Sequence, residues 1–285
     1  MEFKKNLRII PRLDIKGPNL VKGIHLEGLR VLGKPEVFAK FYYQNGADEL
    51  FFQDTVASLY DRNNLHDIIS KTAKEIFIPL TVGGGIRSID DIKSVLRAGA
   101  DKVSINTAAI KRPLFIKEAA EKYGSSTIVV AIEAILEKDG VYRAYTDNGR
   151  EITGVNVLEW ALQIEQLGAG EIVITSVDRE GTGMGFDIEL TKMIADAVSI
   201  PVIAHGGCTD AEDVVKLIKS TDIDAVCISS VLHYELVKTF EVENVYKEEG
   251  NISFLQSKKT FGKITPCSLK DLKNKLINSR IPVRN

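Results

Sequence analysis

Pro79–Asn106, PLTVGGGIRSIDDIKSVLRAGADKVSIN, reads as strand, glycine turn, helix and strand. Leu80-Thr81-Val82 is a short apolar run of strand type. Gly83-Gly84-Gly85 follows at once. Glycine lets a backbone turn sharply and lets its N–H groups come close to a ligand. Ser88 stands where an N-cap belongs, ahead of Ile89, Ile92, Val95 and Leu96 at helical spacing. Ala98-Gly99-Ala100 closes the helix, and Lys102–Asn106 opens the next strand. A glycine turn that ends a strand and feeds a helix N-terminus is a place to hold a phosphate.

The same stretch recurs. Ile200–Ser230 reads IPVIAHGGCTDAEDVVKLIKSTDIDAVCISS, and Gly206-Gly207 lies 122 residues after Gly84-Gly85. Gly46–Leu50 matches Gly168–Ile172 at the same offset, and Arg8–Asp14 matches Ile128–Glu133, each ending in a carboxylate. Internal repetition of a strand–helix unit is the strongest architectural signal in the chain. Two copies of a (βα)4 unit make a (β/α)8 TIM barrel.

Working outward, strands are expected at Arg8–Asp14, Glu49–Asp54, Thr127–Glu133, Glu171–Ser176, Pro201–His205 and Ala225–Ser229, besides the two flanking the opening helix. Helical spacing fills the gaps at Pro35–Gln44, Leu65–Lys74, Ser88–Ala98, Pro113–Lys122, Val157–Leu167, Asp187–Ala197 and Asp210–Lys219. Alternation of strands and helices gives a parallel sheet, and eight right-handed crossovers close it. Three segments fall outside the repeat. Gly17–Gly33 reads as a long, mobile active-site loop carrying Lys22 and Arg30. Ile135–Tyr145, with Asp139-Gly140 at its centre, reads as a hairpin over the same mouth. Residues 238–266 lack periodicity and read as an insertion before a last helix, Leu269–Leu276, within one barrel domain covering 1–285.

Composition narrows the function classes. The chain has 285 residues, 44% of them hydrophobic, and a net charge of −2, which argues against nucleic acid as a partner. No apolar run is long enough to span a membrane, and the N-terminus has no leader-like core. Cys208, Cys227 and Cys267 show no metal-ligand spacing and read as reduced thiols of a cytoplasmic protein. No metal and no cofactor are expected.

In a barrel of this kind the C-terminal strand ends form the active face. Asp14 and Glu133 end two opposite strands there, and a carboxylate pair across a pocket can serve as one acid and one base. Gly84-Gly85 with Asn106 makes one anion site, and Gly206-Gly207 with Ser229-Ser230 makes the other. Two such sites across one mouth suit a long substrate with a phosphate at each end. Lys22 and Thr175 complete the expected binding set. At the opposite mouth Arg8, Glu49, Lys102 and Glu171 stand at strand starts. Two charges of each sign form either a salt-bridged plug or a gate at an axial opening.

These residues resemble the cyclase subunit of imidazole glycerol phosphate synthase, the HisF family, over residues 6–236 and again over Leu269–Arg284. The motifs are long: RIIPRLDIK, GADELFFQD, IPLTVGGGIR, AGADKVSINTAA, GAGEIVITSVDREGT, IPVIAHGG and the closing IPVR. The resemblance implies a HisH-like glutaminase subunit on the N-terminal face, forming a heterodimer. It implies ammonia passing the charged ring and adding to a bisphosphorylated ribulosyl aminoimidazole-carboxamide. The products would be imidazole glycerol phosphate and an aminoimidazole-carboxamide ribotide. The family's two acid/base aspartates fall on Asp14 and Glu133, its loop lysine on Lys22, and its gate on Arg8, Glu49, Lys102 and Glu171.

Several positions depart from that pattern. Glu133 replaces an aspartate, Arg12 a cysteine, His205 a serine and Gln53 an apolar residue, and DRDGT becomes Asp178–Thr182 with Glu180 at its centre. Strand parity turns Arg12, Gln53, Glu133 and His205 toward the lumen or the mouth. A buried arginine needs a carboxylate, and Asp14 is the candidate, which would keep Asp14 ionised. His205, when protonated, would add a contact at the second glycine turn. A second reading follows from these departures: a HisF-like paralogue that channels ammonia from a glutaminase for amidination of a surface-glycan sugar, with the insertion as a docking surface.

Overall fold

The computed structural model describes residues 5–57, 65–239 and 263–284. Eight parallel strands form a closed barrel: β1 (Arg8–Lys16), β4 (Leu50–Asp54), β5 (Leu80–Gly83), β6 (Lys102–Ile105), β7 (Ile128–Leu136), β10 (Glu171–Ser176), β11 (Val202–His205) and β12 (Ala225–Ile228). They neighbour one another in that order, and closure comes from β12 beside β1 and β7 beside β10. The strands are apolar on both faces because side chains pack inward on the lumen and outward on the helices. The result is two separate apolar clusters. A large one lies between sheet and helices, and a small luminal one holds Ile10, Phe51, Val129, Val173, Ile203, Ala225 and Cys227.

Helix ends fall where local chemistry puts them. The helix Ile89–Ala98 begins at Ser88, whose Oγ accepts the Asp91 N–H at 3.2 Å while Asp91 Oδ2 accepts the Ser88 N–H at 2.9 Å. It stops at Gly99, whose φ of +116° lies in the left-handed region that glycine tolerates. Asp187 and Asp210 cap Ile188–Ala197 and Ala211–Ser220 by accepting the Leu190 and Asp213 N–H groups. The last helix, Leu269–Asn278, packs against Ala211–Ser220. The closing strand segment then returns to the barrel floor, where the Leu7 N–H donates to the Pro282 carbonyl at 2.8 Å.

Two segments differ from expectation. Residues 17–33 are an antiparallel hairpin, β2 (Asn19–Ile24) and β3 (Glu27–Gly33), extending the barrel strand β1. Leu20 and Val21 are buried, so the segment has the core anchor that an open loop lacks. The hairpin after β7 is present, with β8 at Tyr142–Thr146, and it continues into an unexpected third strand, β9 (Glu151–Asn156). The expected insertion at 238–266 lies largely outside the described residues.

Candidate active site

At the N-terminal mouth the four predicted charges form one closed ring. Arg8 Nη1 lies 2.7 Å from Glu49 and 2.9 Å from Glu171, and Lys102 Nζ lies 3.1 Å from each of the same two carboxylates. Every cation bridges both acids, so no charge is left over. Above the ring the luminal cluster forms an apolar layer.

Above that layer Arg12 crosses the lumen. Its Nε donates to Asp14 Oδ1 at 3.0 Å, its Nη1 lies 3.2 Å from His205 Nδ1, and its guanidinium carbon lies 5.6 Å from the Phe51 ring centre. Arginine can only donate, so His205 Nδ1 accepts and the ring proton sits on Nε2. Burial and then Arg12 push the His205 pKa well down, so the imidazole is neutral. The expected charged contact from His205 to the second glycine turn is therefore not made. The carbonyl of Arg12 accepts from Ser229 Oγ and His233 Nε2, both at 2.9 Å, and His233 Nδ1 accepts from the buried Tyr42 hydroxyl at 2.6 Å. These bonds hold β1 just where its ladder with β12 runs out at Pro11.

Asp14 also meets Lys22, whose Nζ lies 3.4 Å from Oδ2. Lys22 is paired with Glu180 as well, and Glu180 Oε2 accepts the Leu26 N–H at 2.9 Å, tying the β2–β3 hairpin down. Burial alone would raise the Asp14 pKa. Arg12 and then Lys22 outweigh it and hold Asp14 well below the usual carboxylate range, as expected for a buried arginine's partner.

Glu133 is in the opposite situation. Burial pushes its pKa up to about 7, against the lowering effect of the Gly149 N–H, which it accepts at 2.9 Å. The burial comes from the turn between β8 and β9. Asp147, Asn148 and Gly149 all have positive φ there, and Asn148 Nδ2 donates to the Thr55 carbonyl across the mouth. Arg150 of the same turn pairs with Glu27 of the other hairpin at 3.1 Å. The register Glu133↔Thr175↔His205 sets these three side by side on β7, β10 and β11.

The two glycine turns are not equivalent. Gly84 and Gly85 open onto a cavity of about 630 Å³ that also reaches Asn106, Glu133, Thr175 and Arg12, with Arg87, Lys111 and Arg150 at its rim. Gly206 and Gly207 face a crevice of only about 20 Å³, shared with Ser229, Ser230, Lys22 and Glu180. The hairpin's Lys22 and its partner fill that space. Gly84 has φ of +102°, and a Cβ there would stand 2.4 Å from the Asp54 carbonyl oxygen. Gly84→Ala is expected to cost at least about 1–3 kcal/mol in urea unfolding, from the strained backbone alone. A loss under about 0.5 kcal/mol would show that the turn relaxes.

Sequence reasoning missed Glu180 as the partner of Lys22, because the two lie 158 residues apart. It missed the 147–150 turn as the cover of Glu133, although Asp147-Asn148-Gly149 is itself a turn signal. It also missed the cationic rim around the first turn.

A family model described as histidine biosynthesis protein matches residues 8–238. A Legionella pneumophila protein named imidazole glycerol phosphate synthase subunit HisF is 58% identical over 208 residues, 73% of this chain and 98% of the relative. A Clostridium botulinum protein of the same name is 45% identical over 244 residues, 85% of this chain and 96% of the relative. With the model spanning the barrel and almost the whole of each relative covered, this chain belongs to the histidine biosynthesis protein family, among the lyase/cyclases named imidazole glycerol phosphate synthase subunit HisF.

Proposed function

We propose that the chain is the ammonia-dependent lyase/cyclase of histidine biosynthesis. It would convert a bisphosphorylated ribulosyl aminoimidazole-carboxamide into imidazole glycerol phosphate and aminoimidazole-carboxamide ribotide in the cytoplasm. The observation that carries the reading is the polarity of one lumen: a charge-balanced ring at one end, and at the other Glu133 on the cavity of the first glycine turn with Asp14 buried nearby in ion pairs with Arg12 and Lys22. The apolar layer between them suits neutral ammonia, since burying an ammonium ion without a partner is costly. A HisH-like glutaminase on the N-terminal face would deliver ammonia to the ring of Arg8, Glu49, Lys102 and Glu171.

At the mouth, Asp14 and Glu133 are the two catalytic carboxylates. Gly84, Gly85 and Asn106 take one phosphate. Gly206, Gly207, Ser229 and Ser230 take the other, with Lys22 beside them and Thr175 between the two sites. The second crevice is nearly filled, so the phosphate must displace Glu180 from Lys22 or enlarge the crevice. The glycan-amidination reading gains no support from the relatives, which carry the histidine-pathway enzyme's name.

Expression in a histidine auxotroph lacking its own cyclase subunit tests the proposal. Growth without histidine on ammonium-rich medium is the expected result. Failure to grow while folded protein accumulates, with and without a co-expressed glutaminase subunit, would overturn it.

A further inference from the structure

We propose that Arg12 is a positioning residue of this reaction: it clamps Asp14 as a standing carboxylate acceptor, so that proton exchange at the mouth falls to Glu133. The proposal rests on the lyase/cyclase reading. Both oxygens of Asp14 face a cation, Arg12 Nε at 3.0 Å and Lys22 Nζ at 3.4 Å. Neither cation is loosely held. Arg12 is 4% exposed, faces His205 and Phe51, and has its own carbonyl fixed by Ser229 and His233. Lys22 is gripped by Glu180.

The other groups around Asp14 leave this balance intact. Gln53 on β4, its register partner, carries no charge. His205 on β11 is neutral, and the Cys227 thiol on β12, near Arg12, is pushed by burial up to about 12. Behind β1, burial takes His233 down to about 3. Glu180, on the connection after β10, is committed to Lys22 and the Leu26 N–H. Protonating Asp14 would strand a buried guanidinium without its carboxylate, which is strongly unfavourable.

Glu133 is built for the other role. Among the described residues it forms no ion pair. It accepts the Gly149 N–H at 2.9 Å, and burial outweighs the lowering effects of that bond and of the neighbouring Asn106 amide, so the protonated form is favoured up to about neutral pH. The ribulosyl carbonyl oxygen leaves as water with two of the adding nitrogen's protons, and Glu133 takes the third and returns it to the leaving nitrogen, so each turnover ends in the starting charge state.

The test is a carboxyl ¹³C NMR titration of the full chain, from about pH 4 to about pH 9. Asp14→Asn and Glu133→Gln assign the two signals. The Asp14 signal should stay flat and the Glu133 signal should titrate near neutrality. In Arg12→Met the Asp14 midpoint should rise by at least about one unit, and Arg12→Lys should restore most of the change. A wild-type Asp14 midpoint within the titrated range overturns the proposal even if Arg12→Met does not fold. So does an Asp14 midpoint that Arg12→Met leaves unmoved. The titration needs no substrate, so failure of the lyase/cyclase reading would show separately, as absent turnover with this pattern intact. In turnover, kcat/KM should follow one ionisation near neutrality in the wild type. A second limb on the acid side within that range would overturn the assignment of proton exchange to Glu133.

Discussion

Glu133→Gln is expected to lower turnover by about 10²–10⁴-fold, the usual contribution of a positioned acid/base group, and at the same time to stabilise the fold at pH 8. Burial holds the folded-state pKa of Glu133 at about 7, above its ordinary value of 4.5. The folded protein therefore binds this proton more tightly than the unfolded chain does. The resulting stabilisation is complete below about pH 4.5 and is lost as pH rises through about 7. Above that, the wild type carries a buried carboxylate that costs on the order of 3 kcal/mol, taking about 1.4 kcal/mol per unit. Glutamine has no charge to bury and can still accept the Gly149 N–H. Urea unfolding of both proteins at pH 5 and pH 8 reads the effect. The variant's advantage should appear only at the higher pH. An equal or smaller stability than wild type at pH 8 would mean that Glu133 is solvated and its pKa ordinary.

Glu180→Ala is expected to destabilise the protein by about 3–5 kcal/mol, the cost of leaving one member of a buried ion pair alone. Lys22 is 4% exposed and Glu180 1% exposed, so water cannot easily replace the missing carboxylate. Lys22 would keep Asp14 at 3.4 Å but would have to share it with Arg12, a second cation. The Leu26 N–H would lose its acceptor too. Because Leu26 sits at the turn of the β2–β3 hairpin with φ of +62°, the hairpin should become protease-sensitive before the barrel does. A loss below about 1 kcal/mol in chemical denaturation would show that the pair contributes no more than an exposed one.

The barrel was legible because its signals are local and repeated. Apolar runs of strand type end in Gly84-Gly85 and Gly206-Gly207, and Ser88, Asp187 and Asp210 mark helix starts by hydrogen bonds to their own next turn. The lumen's polar character was legible from parity: Arg12, Glu133 and His205 do point inward, and Arg12 does find Asp14. What local pattern could not reveal was built from distant partners. A buried Lys22 breaks the apolar alternation of β2, and its partner Glu180 belongs to another quarter of the chain. β9 pairs on one side only and exposes Ile152, so no hydrophobic face announces it. The closing of the second glycine turn follows from that same Lys22–Glu180 pair, and the neutrality of His205 from burial beside Arg12.

The central claim is that this barrel uses ammonia to cleave and cyclise a bisphosphorylated ribulosyl aminoimidazole-carboxamide at a mouth containing Asp14 and Glu133. Its most direct test is steady-state turnover of that substrate by the purified chain with an ammonium salt and no partner, for wild type and Glu133→Gln. The account predicts turnover by the wild type that rises with the free-ammonia fraction and falls by at least about a hundredfold in the variant. No turnover by folded wild-type protein, or equal turnover by Glu133→Gln, would contradict it.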